Sequence, residues 1–237
     1  MILLIMLVVA TIPIASATYA GDRPLATAYK DEGRLQYIYS MGDSAYRGNL
    51  KSGESYRANF TLEMPEGAVI RFQRLYVYWA WSRLNQQALY PAFRLTDSRE
   101  PENALELAKR YVDSKGVVSS YDFYSGTDVY PIPTLREGTN EWSITIHQVG
   151  PEESSVLIFG IAVIVVYENQ DEPLRMIWVK EGCDLLFSSY GISPEMASSE
   201  MIFEGSIPSA EISRAELFLV APSGGFSRDL AYEINSL

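Results

Sequence analysis

The sequence predicts an all-β fold: an antiparallel β-sandwich, jelly-roll-like, followed by a partial second β-sandwich repeat. Three observations carry that expectation. Apolar residues recur with a period of two in most stretches, as in residues 55–63 (SYRANFTLE). Gly and Pro separate those stretches at short spacing. Tyr is abundant, 16 of 237 residues, and such chains favour sheets and turns. Nothing alternates strand with helix as a parallel α/β sheet would.

Residues 1–17 (MILLIMLVVATIPIASA) read as a secretory signal peptide. The apolar run is short for a membrane span, which needs about 20 residues. Pro13 breaks it, and Ala15-Ser16-Ala17 supplies the small-x-small pattern of a cleavage site. No Lys or Arg precedes the run, which departs from the usual leader. Residues 19–50 read as irregular, with one short strand at 35–39 (LQYIY). After the alternating strand at 55–63, Pro65-Glu66-Gly67 makes a turn. Residues 69–82 (VIRFQRLYVYWAWS) follow, with Leu75, Val77, Trp79 and Trp81 on one face and Tyr76, Tyr78 and Ala80 on the other. Both faces are apolar, so a central strand covered on both sides is expected.

Residues 101–113 (PENALELAKRYVD) show helical spacing, with Glu106 four residues before Arg110, and predict a short helix. Residues 119–124 and 128–132 read as extended, and 135–140 as a loop. Residues 141–149 (EWSITIHQV) form a strand with Trp142, Ile144 and Ile146 inward and Ser143, Thr145 and His147 outward. Residues 155–167 (SVLIFGIAVIVVY) are β-branched and almost wholly apolar. They predict a strand buried on both faces, with Gly160 a bulge or point of close approach.

Residues 58–82 and 201–225 read alike: a strand, a Pro-containing turn, then an apolar strand. Arg74-Leu75-Tyr76-Val77-Tyr78 matches Glu216-Leu217-Phe218-Leu219-Val220. The expected domains are therefore 18–170, a first sandwich, and 171–237, an incomplete second repeat. Three explanations are ranked for the incompleteness: a piece of a longer product, an appendage packed on the first unit, or completion by strand addition from a partner.

Certain motifs carry a family resemblance. They are Tyr19-Ala20-Gly21-Asp22-Arg23-Pro24-Leu25, Met41-Gly42-Asp43-Ser44, Arg74-Leu75-Tyr76-Val77-Tyr78-Trp79, Glu181-Gly182-Cys183-Asp184-Leu185-Leu186, and Arg214-Ala215-Glu216-Leu217 leading to Ala221-Pro222-Ser223-Gly224-Gly225. Together the chain resembles an uncharacterised family of exported proteins of methanogenic archaea, a domain of unknown function. The resemblance implies a secreted or surface β-rich protein that continues for more strands past this chain's end. Residues 127–146 also resemble the loop and hairpin of galactose-binding-like jelly rolls, where Gly138 and Asn140 turn the chain into the last strand. That second likeness concerns fold alone.

Composition bounds the function. Apolar residues make up 47%, enough for a core. A net charge of −11 repels nucleic acid and anionic membranes, so neither is expected as a partner. His147 and Cys183 are the sole residues of their kinds, so neither a catalytic triad nor a zinc site of the usual ligands is expected, and His147 reads as exposed on its strand. Cys183 reads as a small buried hydrophobe. The acidic pairs Glu152-Glu153 and Asp171-Glu172 read as charged loop decoration. No enzyme and no cofactor is expected. Calcium at Asp22, Asp43 or Asp97 would suit an acidic surface protein, but the EF-hand ligand spacing is absent. Asn59-Phe60-Thr61 is a glycosylation sequon, whose Asn59 must face solvent. Ser193-Pro194-Glu195 reads as a helix start.

The expected role is non-enzymatic: a structural or adhesive protein, secreted or on the cell surface, in an envelope layer or filament. Its partners would be other surface proteins or itself, by strand addition. The alternative is a carbohydrate-binding module, with Tyr76, Tyr78, Trp79, Trp81 and Trp142 as an aromatic platform for glycans.

Overall fold

The computed structural model describes residues 23–114, 123–186, 188, 192–205 and 212–222. The expected leader at 1–17 and Asp22 lie outside them, as do most of residues 119–124. The described chain contains no helix. Its strands are β1 (Ala26–Gly33), β2 (Leu35–Ser40), β3 (Arg47–Lys51), β4 (Ser55–Met64), β5 (Val69–Leu84), β6 (Gln87–Ala88), β7 (Phe93–Asp97), β8 (Ala104–Leu105), β9 (Lys109–Asp113), β10 (Tyr124–Tyr130), β11 (Gly138–Gln148), β12 (Ser154–Glu168) and β13 (Arg175–Glu181).

Every pairing is antiparallel. The largest sheet runs β2-β12-β5-β10-β9, with β3 also on β12 and β6 on β5. A four-stranded sheet runs β4-β11-β7-β8, and β1 pairs β13 in a third. The main core lies between the two larger sheets. On β4 the period of two puts Ala58, Phe60, Leu62 and Met64 inward and leaves Asn59, Thr61 and Glu63 exposed. These meet Leu75, Val77 and Trp79 of β5 and Val156, Ile158, Ile161, Val163 and Val165 of β12. The result is a β-sandwich.

A third layer covers much of the large sheet's outer face. Tyr29, Ile177 and Val179 of the β1–β13 pair pack on Leu35, Phe72 and Val166. Beside them, the segment from Phe218 to Pro222 lies against Tyr39, Met41, Tyr78 and Phe159. So β5 and β12 are buried on both faces, as their apolar runs predict. At Gly160 the β12 register slips, and a Cβ there would stand 2.5 Å from Met41 Cε, so the expected bulge is also a close approach.

Several expectations are corrected. Residues 19–50 are not largely irregular, since β1, β2 and β3 all fall there. Residues 101–113 form β8 and β9, not a helix. Arg110 does not support a helical turn with Glu106; its Nε donates to Asp128 Oδ1 on β10 at 2.7 Å. Pairing with β10 outweighs a weak local preference. Ser143 is buried rather than outward, with its backbone N–H donating to Ser98 Oγ. At Ser193 the chain makes one hydrogen-bonded turn and no helix. The second copy of the proposed repeat also differs. Among the described residues of 201–225 there is no strand, and Glu216 to Val220 run as an unpaired arm. Past residue 170, β13 pairs with β1, which lies on the other side of the expected boundary.

Candidate functional site

The five proposed platform aromatics do not share a surface. Trp79 is 1% exposed in the main core, and its Nε1 donates to Asp128 Oδ1 at 3.0 Å. Trp142 is buried, stacked on Phe60 at 5.2 Å with the Arg99 guanidinium over its ring. Tyr76 and Tyr78 stack on each other beneath the third layer. The Tyr76 hydroxyl donates to the buried Glu181 at 2.7 Å, and Tyr111 donates to the same carboxylate. Burial, reinforced for Tyr76 by the Glu181 carboxylate, pushes both stacked phenols well above their ordinary pKa. Trp81 alone stands in solvent, 54% exposed.

The other expected residues fall as follows. Asn59 faces solvent, as a sequon requires, but its Nδ2 and backbone N–H both donate to the Asp43 carboxylate. Those bonds hold the Asp43 carboxyl below its ordinary pKa. Asp97 is buried, and Arg99 Nε donates to its carboxylate. Among the described residues, then, Asp43 and Asp97 are each satisfied by their own partner, and no group of three His, Cys, Asp or Glu is placed to hold a metal. His147 Nδ1 lies 2.8 Å from Ser55 Oγ across β4 and β11; no carboxylate completes a triad there among the described residues. Cys183 is half-buried.

The backbone explains why Trp81 leaves its expected face. Against β12, Arg83 pairs Ser155 while Ala80 pairs Leu157; against β10, Ser82 pairs Tyr124 while Trp79 pairs Gly126. Both neighbours see one extra residue in β5, a bulge. Trp81 sits in it at φ 53°, a left-handed conformation that disfavours any residue but glycine. Beyond the bulge, Asn85 (φ 54°) turns the chain into β6, and Glu153 (φ 65°) occupies the third position of the turn whose Ser154 N–H donates to Pro151 O. These three are the non-glycine residues of positive φ among those described, and all belong to one end of the β5–β12 pair. Strained backbone of this kind clusters at functional sites.

A cavity of about 460 Å³ opens at that end on the outer face. Asn49 and Lys51 of β3, Arg83 of β5, Ser155 of β12 and the turn acids Glu152 and Glu153 line it. The Arg83 guanidinium lies over the Phe123 ring at 5.2 Å, and Trp81 meets that ring edge-on at 6.3 Å. Phe123 thus braces both the cavity wall and the exposed indole.

A family model described as Protein of unknown function (DUF3344) matches residues 18–236. The chain belongs to that family. No curated protein and no solved structure matches it. In this DUF3344 chain the motif Arg74-Leu75-Tyr76-Val77-Tyr78-Trp79 is the middle of the central strand, and Glu181 places its carboxylate under the outer layer. Gly138 (φ 81°) and Asn140 make the expected turn: Asn140 Nδ2 donates to the carbonyls of Arg136 and Gly138. Sequence reasoning missed Asn49, Lys51, Arg83 and Ser155 as site residues and read Glu152-Glu153 as decoration. No local pattern joins residues so far apart in sequence.

Proposed function

We propose that the chain is an exported, non-enzymatic module of a cell surface or extracellular layer, structural or adhesive in role, that associates with copies of itself or with other surface proteins by strand addition. One observation carries the reading. The arm at 212–222 exposes Leu217, Phe218, Leu219 and Val220, and among the described residues its backbone makes no hydrogen bond to any strand of the body. It is held by side chains: Phe218 rests on Tyr39 at 4.9 Å, and the Tyr37 hydroxyl donates to Glu216. An apolar extended segment with free backbone donors and acceptors is the material of strand addition. The family match beginning at residue 18, directly after Ala17, agrees with a leader separate from the domain. The acidic surface agrees with solubility outside the cell.

The test compares the chain from residue 18 onward with a version lacking residues 212–237, by light scattering across a concentration series. The reading expects concentration-dependent self-association that disappears with the arm. A full-length chain that stays monomeric throughout, and never fractionates with the cell envelope, contradicts it.

A further inference from the structure

We propose that the open end of the large sheet's outer face binds a neutral saccharide, with Trp81 as the stacking surface and Asn49, Lys51, Arg83, Glu152 and Glu153 as the hydrogen-bonding wall. The inference does not depend on the arm, which lies elsewhere on that face.

The chemistry of the wall selects the ligand. Among the described residues, the side chains of those five make no hydrogen bond and no ion pair, although they converge on one cavity. The buried carboxylates Asp128 and Asp97, by contrast, are paired with Arg110 and Arg99. The formal charges of Lys51 and Arg83 cancel those of Glu152 and Glu153. A phosphate or sulfate would meet two carboxylates, and a divalent cation would meet Arg83 and Lys51. An apolar peptide would leave donors and acceptors unsatisfied. A polyhydroxylated ring answers both kinds of group at once, since each hydroxyl donates and accepts. Its apolar C–H face needs an exposed aromatic, and Trp81 is the one that the bulge turns outward. Phe123 holds Trp81 and Arg83 in a common frame, which lowers the ordering cost of binding. The cavity's size falls within the range of small-ligand sites, about 300–1,000 Å³.

The experiment probes a printed array of neutral hexose and N-acetylhexosamine oligosaccharides, beside uronic-acid and sialylated ones, with the chain from residue 18 onward. The best neutral oligosaccharide is then titrated by calorimetry against W81G and R83A. Glycine suits a positive φ, so W81G keeps the bulge, and Arg83 is partly exposed, so R83A gives a second reading if the first variant fails to fold. The expected result is binding of a neutral oligosaccharide that weakens at least tenfold in each folded variant and is unchanged in N59Q, whose side chain lies on the far sheet. Binding of acidic glycans alone, binding that both variants retain, or no binding to any neutral glycan overturns the proposal.

Discussion

Trp79 and Trp81 stand two residues apart on β5 and occupy opposite surroundings. Trp79 is sealed between the two sheets, its N–H bonded to a buried carboxylate that also closes on Arg110. Trp81 lies in solvent and is joined through Phe123 to a cavity wall where the side chains of Asn49, Lys51, Arg83, Glu152 and Glu153 make no hydrogen bond among the described residues. The strand and the residue type are the same. One inserted residue separates them, and with it the rules change from satisfied and relaxed to unsatisfied and strained. The comparison teaches that the bulge divides β5 into a buried segment that stabilises the core and an exposed, strained segment, where the saccharide site is proposed.

The comparison breaks most readily at Trp79. Trp79→Ala is expected to cost about 3–5 kcal/mol, as large-to-small changes in a packed core do. Urea unfolding measures it, and a loss below about 1 kcal/mol would place Trp79 outside the core. Asp128→Ala is expected to cost about 3 kcal/mol, because it leaves the part-buried Arg110 uncompensated and the Trp79 N–H without its acceptor. Asp128→Asn, which keeps one acceptor, should lose less by the same measurement.

Tyr76→Phe is expected to cost about 1–2 kcal/mol by withdrawing one of the two phenols on Glu181. The same packing predicts a pH dependence. Tyr76, Tyr78 and Tyr130 hold their protons in the native state above the unfolded value of about 10. Their contribution is therefore complete below about pH 10 and declines as pH rises beyond it. Tyrosinate absorbance should show these phenols ionising only together with unfolding; free titration in the folded chain would refute their burial. The smallest effect is expected at Trp81. Trp81→Gly should be neutral or stabilising by about 1 kcal/mol, because it relieves a left-handed non-glycine residue. A melting temperature several degrees lower would mean that the indole is structural.

The framework was legible where the pattern was strong. The alternation of β4, the two-faced burial of β5 and β12 and the kink at Gly160 all follow from residue type and spacing. Residues 101–113 misled because Ala, Leu and Glu favour a helix locally, whereas the ion pair of Arg110 with Asp128 exists only once β9 has paired. The bulge was illegible because neither Gly nor Pro marks it, so a strict period of two carried Trp81 inward with Trp79. The cavity could not be read for a different reason: β3, β5, β12 and one turn each supply a part, and only sheet register brings them together. Of the proposed site residues, the sequence located one exposed aromatic and none of the wall.

The account rests on Trp81 standing outside the core that holds Trp79. Acrylamide quenching of tryptophan fluorescence, compared between the unmodified chain and W81F, tests this directly. The expected result is that W81F loses the most readily quenched, red-shifted component, leaving the shielded emission of Trp79 and Trp142 and the intermediate emission of the half-buried Trp178. Quenching that is the same in both proteins would contradict it.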